Sequence, residues 1–135
     1  MFGLPNDSRL AYDWHQESAY MVYNNTLHFQ FPLFNNATSD NGTMSVLKSS
    51  NKLGKLSYDS FQKTKDSLVN LKVRNINEYV KTHDEVPLIM KLGDVSIFHN
   101  NTIHRSNHNK SNFVRFSGVV RVNSIEKIAD QEFIM

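Results

Sequence analysis

The chain has 135 residues, a length that fits one domain with one hydrophobic core. Hydrophobic residues make up 39% and charged residues 21%, which is typical of a folded soluble protein, and no apolar run approaches the roughly 18 residues that span a bilayer. Fifteen basic and thirteen acidic residues are mixed along the chain and give a net charge of +2, so we expect neither a nucleic-acid nor a membrane partner. The absence of cysteine excludes disulfides, thiolate nucleophiles and iron–sulfur clusters. No basic and apolar signal segment opens the chain, and we expect a cytoplasmic location.

The predicted elements are mainly β-strands, because aromatic and β-branched residues are frequent and turn residues recur about every ten positions. In chain order, the predicted strands cover residues 10–15, 26–34, 42–48, 68–73, 86–90, 95–98 and 113–122. A short helix is predicted over 76–81, where Asn75 can cap the first turn and Glu78 follows three residues later. The tail from Ser124 is amphipathic and is either helical or an added edge strand. This pattern favours a mainly β domain, either a sandwich or a jelly roll.

The first candidate for chemistry is the pair His15 and Glu17, two residues apart at the end of the first predicted strand. Alternate strand residues point to the same face, so this spacing aims an imidazole and a carboxylate into one space. A facial iron site needs two histidines and one carboxylate, and leaves three adjacent positions open. An H-x-E triplet is frequent in proteins, so this interpretation needs a third ligand from elsewhere.

His104 and Arg115 form the second candidate pair, separated by the polar stretch 106–112, which has the composition of a hairpin loop. A turn near residues 109 and 110 would place them directly opposite each other on paired strands. A guanidinium beside a metal can hold a carboxylate through two parallel hydrogen bonds. Alternatively, His104 is a hydrogen-bonded polar residue at a strand end and Arg115 faces solvent.

His28 and Gln30 alternate on the strand predicted over 26–34 and therefore share a face. If that face lines a polar cavity, the two side chains are candidates for contact with a substrate or co-substrate. The alternative for both is ordinary exposure to solvent.

Three segments together resemble the phytanoyl-CoA dioxygenase family of iron(II)- and 2-oxoglutarate-dependent oxygenases. They are Trp14-His15-Gln16-Glu17, the stretch from Asn41-Gly42 to Gly54, and the stretch from Gly93-Asp94 through His104 and Ser106 to Arg115. Their order and spacing agree with the family over about a hundred residues. Two departures stand out: Glu17 replaces the usual aspartate, and Ser49-Ser50-Asn51 replaces Gly-Ser-His.

The resemblance implies a chemistry. Iron(II) would be held by His15, Glu17 and His104, and 2-oxoglutarate would be anchored by Arg115 with help from Ser106. Dioxygen would complete the set of reactants, and a small-molecule substrate would be hydroxylated as 2-oxoglutarate is converted to succinate and carbon dioxide.

The resemblance also implies a fold, the double-stranded β-helix, a jelly roll of the cupin type. We expect one such domain over residues 1–135, with its core at about 10–122 and a tail at 123–135. Family members are usually about twice as long as this chain, so we expect the usual N-terminal cover of the sheet to be missing. An uncovered sheet face or edge invites association, and a homo-oligomer is therefore expected.

Two other functions are compatible with the same residues. A cupin-like metal enzyme would use no 2-oxoglutarate, and its Arg115 would bind an acidic substrate. A non-catalytic jelly-roll binding module would keep the sheets without a tight iron site.

Overall fold

Nine short strands and one α-helix make up the part of the chain described by the computed structural model, which comprises residues 2–7, 11–21, 25–62 and 69–124. The strands are β1 (Phe2–Gly3), β2 (Thr26–Pro32), β3 (Met44–Leu47), β4 (Tyr58–Gln62), β5 (Val69–Val73), β6 (Glu85–Pro87), β7 (Ser96–His99), β8 (His104–Ser106) and β9 (Arg115–Asn123). The helix α1 spans Ile76–Thr82, and two 3-10 turns cover Glu17–Ala19 and Ser50–Leu53. The prediction of a mainly β protein with one short helix is confirmed.

All the strand pairs in these ranges are antiparallel. The larger sheet has the order β1-β9-β2-β7, the smaller sheet has the order β6-β3-β8, and β4 pairs with β5 alone. The four-stranded and the three-stranded sheets, called here the larger and the smaller sheet, face each other. The ring of Phe98 on β7 lies 5.2 Å from the ring of His104 on β8. The space between these two sheets holds the candidate site.

The inner face of the larger sheet is polar. On β2, His28 and Gln30 are each 1% exposed, whereas Leu27 on the opposite face is 44% exposed. His28 lies opposite Phe98 on β7 and Arg121 on β9, so these residues share its face. Buried polar residues and exposed apolar ones reverse the usual pattern of a strand, because the interior here is a polar cavity and not a hydrophobic core.

The hydrophobic core lies on the other side of the smaller sheet. It is a cluster of buried side chains from the 11–15 segment, β3, β5, α1 and the turn before β8, namely Trp14, Leu47, Val73, Ile76 and Ile103. Leu47 follows Val46, whose partner on β8 is His104, so Leu47 points away from the inter-sheet space. Trp14 is tied to this core by its carbonyl, which accepts a 2.9 Å hydrogen bond from the Val73 N–H. Apolar packing thus fixes the segment that carries His15.

Several boundaries differ from the predicted ones. Residues 11–14 form no strand, and His15 makes only an isolated bridge, with His104. The strand β4 was not predicted. Asn75 has a left-handed backbone with φ of 55° and makes no side-chain cap to α1. Residue 10, residue 68 and the tail at 125–135 lie outside the described residues.

The predicted hairpin between His104 and Arg115 is wrong. β8 pairs with β3, whereas β9 pairs with β1 and β2, so the two residues lie on different sheets. The loop between β8 and β9 does not form a hairpin turn, and instead its side chains bind the backbone of segments that are distant in sequence. Asn107 Nδ2 donates to the carbonyl of Thr43, and Asn109 Nδ2 donates to the carbonyl of Gly3.

Gly42 permits the close approach of that loop. Its φ is +73°, and a Cβ at this position would lie 2.6 Å from the Asn107 carbonyl oxygen. Glycine is therefore required both by the backbone conformation and by the space. Separately, no helix in the described ranges has the length and apolar character needed to cross a bilayer.

Candidate metal and co-substrate site

Two imidazoles and one carboxylate converge at the edge of the inter-sheet space. Glu17 Oε1 lies 3.8 Å from His15 Nε2 and 3.5 Å from His104 Nε2. One potential ligand atom from each of the three residues lies within 4.8 Å of the other two. Within the described ranges, no other group of three histidine, aspartate or glutamate residues is arranged in this way. The structure thus brings together the three residues that the sequence singled out.

The local backbone explains this convergence differently from the predicted strand. His15 is bridged to His104, and Glu17 begins the 3-10 turn that follows. Gln16 lies between them with 2% exposure, and its Nε2 donates to the carbonyls of Gly54 and Asn101 at 2.8 and 2.7 Å. The side-chain oxygen of Gln16 accepts from the Leu56 N–H. Gln16 thereby fixes the turn that directs its two neighbours inward.

Both imidazoles are held in one tautomer. His15 Nδ1 lies 2.6 Å from the Asp13 carbonyl oxygen, and His104 Nδ1 lies 2.8 Å from the Thr102 carbonyl oxygen. A carbonyl can only accept, so each Nδ1 carries the proton and donates. In the neutral rings, each Nε2 then has a free lone pair close to Glu17. Two lone pairs and a carboxylate facing one point fit a divalent cation.

The protonation states match those of metal ligands. Burial alone would raise the pKa of the Glu17 carboxyl, but His104 and then His15 more than offset this and hold the pKa well below its usual range. Burial lowers the pKa of His104, with a further contribution from His15, and outweighs the opposing effect of Glu17. Near neutral pH the carboxylate is therefore charged and the His104 ring is neutral, as metal binding requires.

Arg121 is a site residue that the sequence did not reveal. Its Nη2 donates to Glu17 Oε2 at 3.2 Å, and its side chain is 43% exposed. A cleft of about 200 Å³ opens beside it and is lined by Tyr12, His15, Glu17, Tyr20 and Arg121. The contact depends on the pairing of β9 with β2, which local sequence spacing does not encode.

Arg115 lies deep between the sheets and is only 3% exposed. Its Nη1 donates to Ser117 Oγ at 2.6 Å and its Nε donates to the Asn41 carbonyl at 3.2 Å. None of the carboxylates in the described part of the chain lies within 4.0 Å of this guanidinium. Burial lowers the pKa of Arg115. A buried guanidinium is costly unless an anion pairs with it.

Ser106 lies at the end of β8 and shares one small cavity with Arg115. The cavity has a volume of about 20 Å³, and Gly3 and Asn109 also line it. The structure thus places the two predicted co-substrate residues at one cavity although they lie on different sheets.

His28 and Gln30 both point into the inter-sheet space. The Nε2 atom of each is buried and has no hydrogen-bond partner within the described ranges. The His28 ring stacks on Phe98 at 5.4 Å, and Phe98 lies 5.2 Å from the ring of His104. Buried polar atoms without partners are rare in folded proteins, and each needs an explanation such as a bound molecule.

Comparison with solved structures identifies the fold as a double-stranded β-helix. EvdO2 from Micromonospora carbonacea var. aurantiaca, complexed with 2-oxoglutarate, superposes with a TM-score of 0.68 at 18% identity, over 93% of this chain and 51% of that chain. EctD from S. alaskensis with 2-oxoglutarate and 5-hydroxyectoine superposes with a TM-score of 0.68 at 20% identity, over 92% and 42% of the two chains. The non-heme alpha ketoglutarate dependent epimerase SnoN from nogalamycin biosynthesis gives 0.62 at 15% identity, over 90% and 43%. The predicted jelly roll is confirmed.

The sequence profile of the family described as Phytanoyl-CoA dioxygenase (PhyH) matches residues 2–117. The chain belongs to this family, and the resemblance drawn from its motifs is confirmed. No curated protein sequence matches the chain significantly. The chain spans about half or less of the length of the similar structures named above.

Proposed function

We propose that this chain is the jelly-roll domain of an Fe(II)- and 2-oxoglutarate-dependent oxygenase that hydroxylates a small molecule. The observation that carries the proposal is the convergence of His15 Nε2, Glu17 Oε1 and His104 Nε2, with both Nδ1 atoms occupied by carbonyls. Membership of the PhyH family supports it. The substrate, the hydroxylase outcome and the succinate and carbon dioxide products are parts of the proposal.

His15, Glu17 and His104 would hold the iron. This ligand set leaves three adjacent positions for the other reactants. Bound iron would supply the redox chemistry that couples dioxygen to the decarboxylation of 2-oxoglutarate. The contribution of the chain is to keep His104 neutral, to keep Glu17 ionised and to fix the direction of all three side chains.

Arg115 would bind the far carboxylate of 2-oxoglutarate. The hydrogen bonds given for this guanidinium use Nε and Nη1. An incoming carboxylate would neutralise a buried charge that has no carboxylate of the described part of the chain within 4.0 Å. Ser117 and the Asn41 carbonyl already hold the guanidinium in place. Ser106, at the same cavity, can donate its hydroxyl to the same carboxylate.

His28 and Gln30 would contact 2-oxoglutarate or the substrate within the inter-sheet space. Gln30 Nε2 can donate, and His28 Nε2 can accept or donate according to its tautomer. A ligand that satisfied both atoms would remove the cost of leaving them buried and unpaired. Burial of both side chains also keeps bulk water away from this part of the cavity.

Anaerobic titration with Fe(II), followed by 2-oxoglutarate, tests the proposal. We expect one equivalent of iron to bind, and 2-oxoglutarate then to produce the visible charge-transfer band of an iron chelate. Iron binding without that band would favour a cupin-like metal enzyme that uses no 2-oxoglutarate. Failure to bind iron would favour a non-catalytic binding module.

A further inference from the structure

The two carboxylate oxygens of Glu17 face different partners. Oε1 lies close to the Nε2 atoms of His15 and His104, at 3.8 and 3.5 Å. Oε2 accepts a 3.2 Å hydrogen bond from Arg121 Nη2. Within the described ranges, Arg121 is the one arginine or lysine that pairs with this carboxylate.

We propose that Arg121 is a positioning residue that keeps Glu17 a one-oxygen ligand, an inference that rests on the proposed function. By engaging Oε2, Arg121 leaves Oε1 alone to face the metal. A carboxylate can bind a metal through one oxygen or through both. If both oxygens bound, one of the three open positions of the facial site would be lost.

The proposed reaction needs all three open positions of the metal, so a second oxygen of Glu17 on the metal would interfere with it. A chelating co-substrate takes two open positions, and dioxygen needs the third. A glutamate has one more rotatable bond than the aspartate usual in the family, so its carboxylate has more freedom to turn. By holding Oε2, Arg121 prevents the Glu17 carboxylate from turning this oxygen towards the metal.

The placement of Arg121 suits this task. It lies on the nine-residue strand β9, directly opposite His28 of β2, so its backbone is fixed by strand pairing. The Glu17 side chain is only 12% exposed, which makes the contact less screened than an ion pair between two exposed residues. The planar guanidinium also sets the direction of the bond, which a flexible ammonium would not.

Water-proton relaxation by bound Mn(II) tests the proposal, because the relaxation rate reports how many water molecules the ion retains. We compare the wild type with Arg121→Met. Methionine is a long unbranched side chain, like the aliphatic part of arginine, but it has no hydrogen-bond donor. Arg74→Met is the matched control, because Arg74 Nη2 contacts Asp59 Oδ1 at 2.8 Å in a pair that is more than half exposed and includes none of the candidate ligands.

At full Mn(II) occupancy, Arg121→Met should lose one retained water of three, so its inner-sphere relaxation should fall by roughly a third. After saturation with 2-oxoglutarate, the wild type and Arg74→Met should retain one water and Arg121→Met none. If Arg121→Met does not fold, Arg121→Leu serves instead, because leucine also has no donor and the same loss is expected.

Equal relaxation in the wild type and in the folded Arg121 variant, at equal occupancy, would overturn the positioning role and leave the proposed function intact. A wild type that does not bind Mn(II), or whose relaxation 2-oxoglutarate leaves unchanged, would overturn the proposed function and this inference together. The two failures are therefore distinguishable in one experiment.

Discussion

His15 and His104 are joined by two backbone hydrogen bonds. The N–H of His15 donates to the carbonyl of His104 at 2.9 Å, and the N–H of His104 donates to the carbonyl of His15 at 3.0 Å. Their ring centroids lie 4.2 Å apart. Because the two residues are paired through their backbones, their imidazoles are held side by side. The candidate site is therefore pre-organised, which lowers the entropic cost of binding an ion.

Replacement of a candidate ligand should abolish tight metal binding. His104→Gln keeps a similar side-chain volume, so we expect a folded protein whose Fe(II) affinity falls by more than about a hundredfold, beyond the loss typical of residues that only orient ligands. Calorimetric titration under anaerobic conditions measures the affinity. His108→Gln is the control, since His108 is exposed and outside the cluster. Wild-type affinity in His104→Gln would remove His104 from the metal site.

Replacement of Arg115 should affect 2-oxoglutarate and spare iron. A charge-assisted hydrogen bond contributes about 1.5–3 kcal/mol, and lysine cannot reproduce the planar fork. Arg115→Lys should therefore weaken 2-oxoglutarate binding by roughly ten- to a hundredfold, and Arg115→Ala by more. The charge-transfer band gives the dissociation constant, and Arg74→Lys is the control. If Arg115→Ala binds 2-oxoglutarate as the wild type does, the guanidinium is structural.

Burial of His28 should make the metal-free protein less stable in mild acid. Burial lowers the pKa of His28 to about 4, whereas an unfolded histidine titrates near 6.5. Between these values the unfolded chain binds the extra proton, so stability is full above about pH 6.5 and falls as the pH drops towards 4. From pH 7.5 to 5.0 this single group should cost about 2 kcal/mol.

Urea unfolding of the wild type and of His28→Gln at the two pH values measures that contribution. The loss of unfolding free energy between pH 7.5 and 5.0 should be smaller in His28→Gln, while the exposed control His108→Gln should behave as the wild type. Equal losses in the wild type and in His28→Gln would contradict the expectation, because they would mean that folding does not change the pKa of His28.

The outer face of the larger sheet should drive self-association of this chain. Four apolar side chains on that face are each at least 44% exposed, namely Leu27, Ile97, Val120 and Val122. Contiguous exposed apolar surface favours association. We expect the wild type to sediment as a dimer or a larger species, and a double variant with Ile97→Lys and Val120→Lys to sediment as a monomer. Val80→Lys on α1 is the control, and a monomeric wild type would contradict the expectation.

Local patterns predict the strands that line the interior and the approach of His15 and Glu17, whereas His104 joins them only through the resemblance of the motifs to a family. The side chains of His15 and Glu17 point into the same space although the segment is a bridge followed by a turn and not a strand. Gln16 fixes this backbone through its side-chain hydrogen bonds. The polarity of His28 and Gln30 correctly marks the strand face that lines the cavity. These signals are short in range, and the sequence displays them directly.

Long-range pairing was not predictable in the same way. The hairpin between His104 and Arg115 was inferred from a polar loop, but the loop crosses between sheets because Asn107 and Asn109 bind distant carbonyls. The contact of Arg121 with Glu17 spans 104 residues and follows from sheet order alone. No composition or spacing rule links residues so far apart.

A crystal structure of the protein grown anaerobically with Fe(II) and 2-oxoglutarate, with the iron located by anomalous scattering, tests the central claim most directly. We predict one iron at about 2.0–2.2 Å from His15 Nε2, Glu17 Oε1 and His104 Nε2, the distance range for nitrogen and oxygen ligands of a divalent metal. We also predict the far carboxylate of 2-oxoglutarate on the Arg115 guanidinium. An iron bound elsewhere, or a cluster that stays empty at saturating iron, would contradict the account.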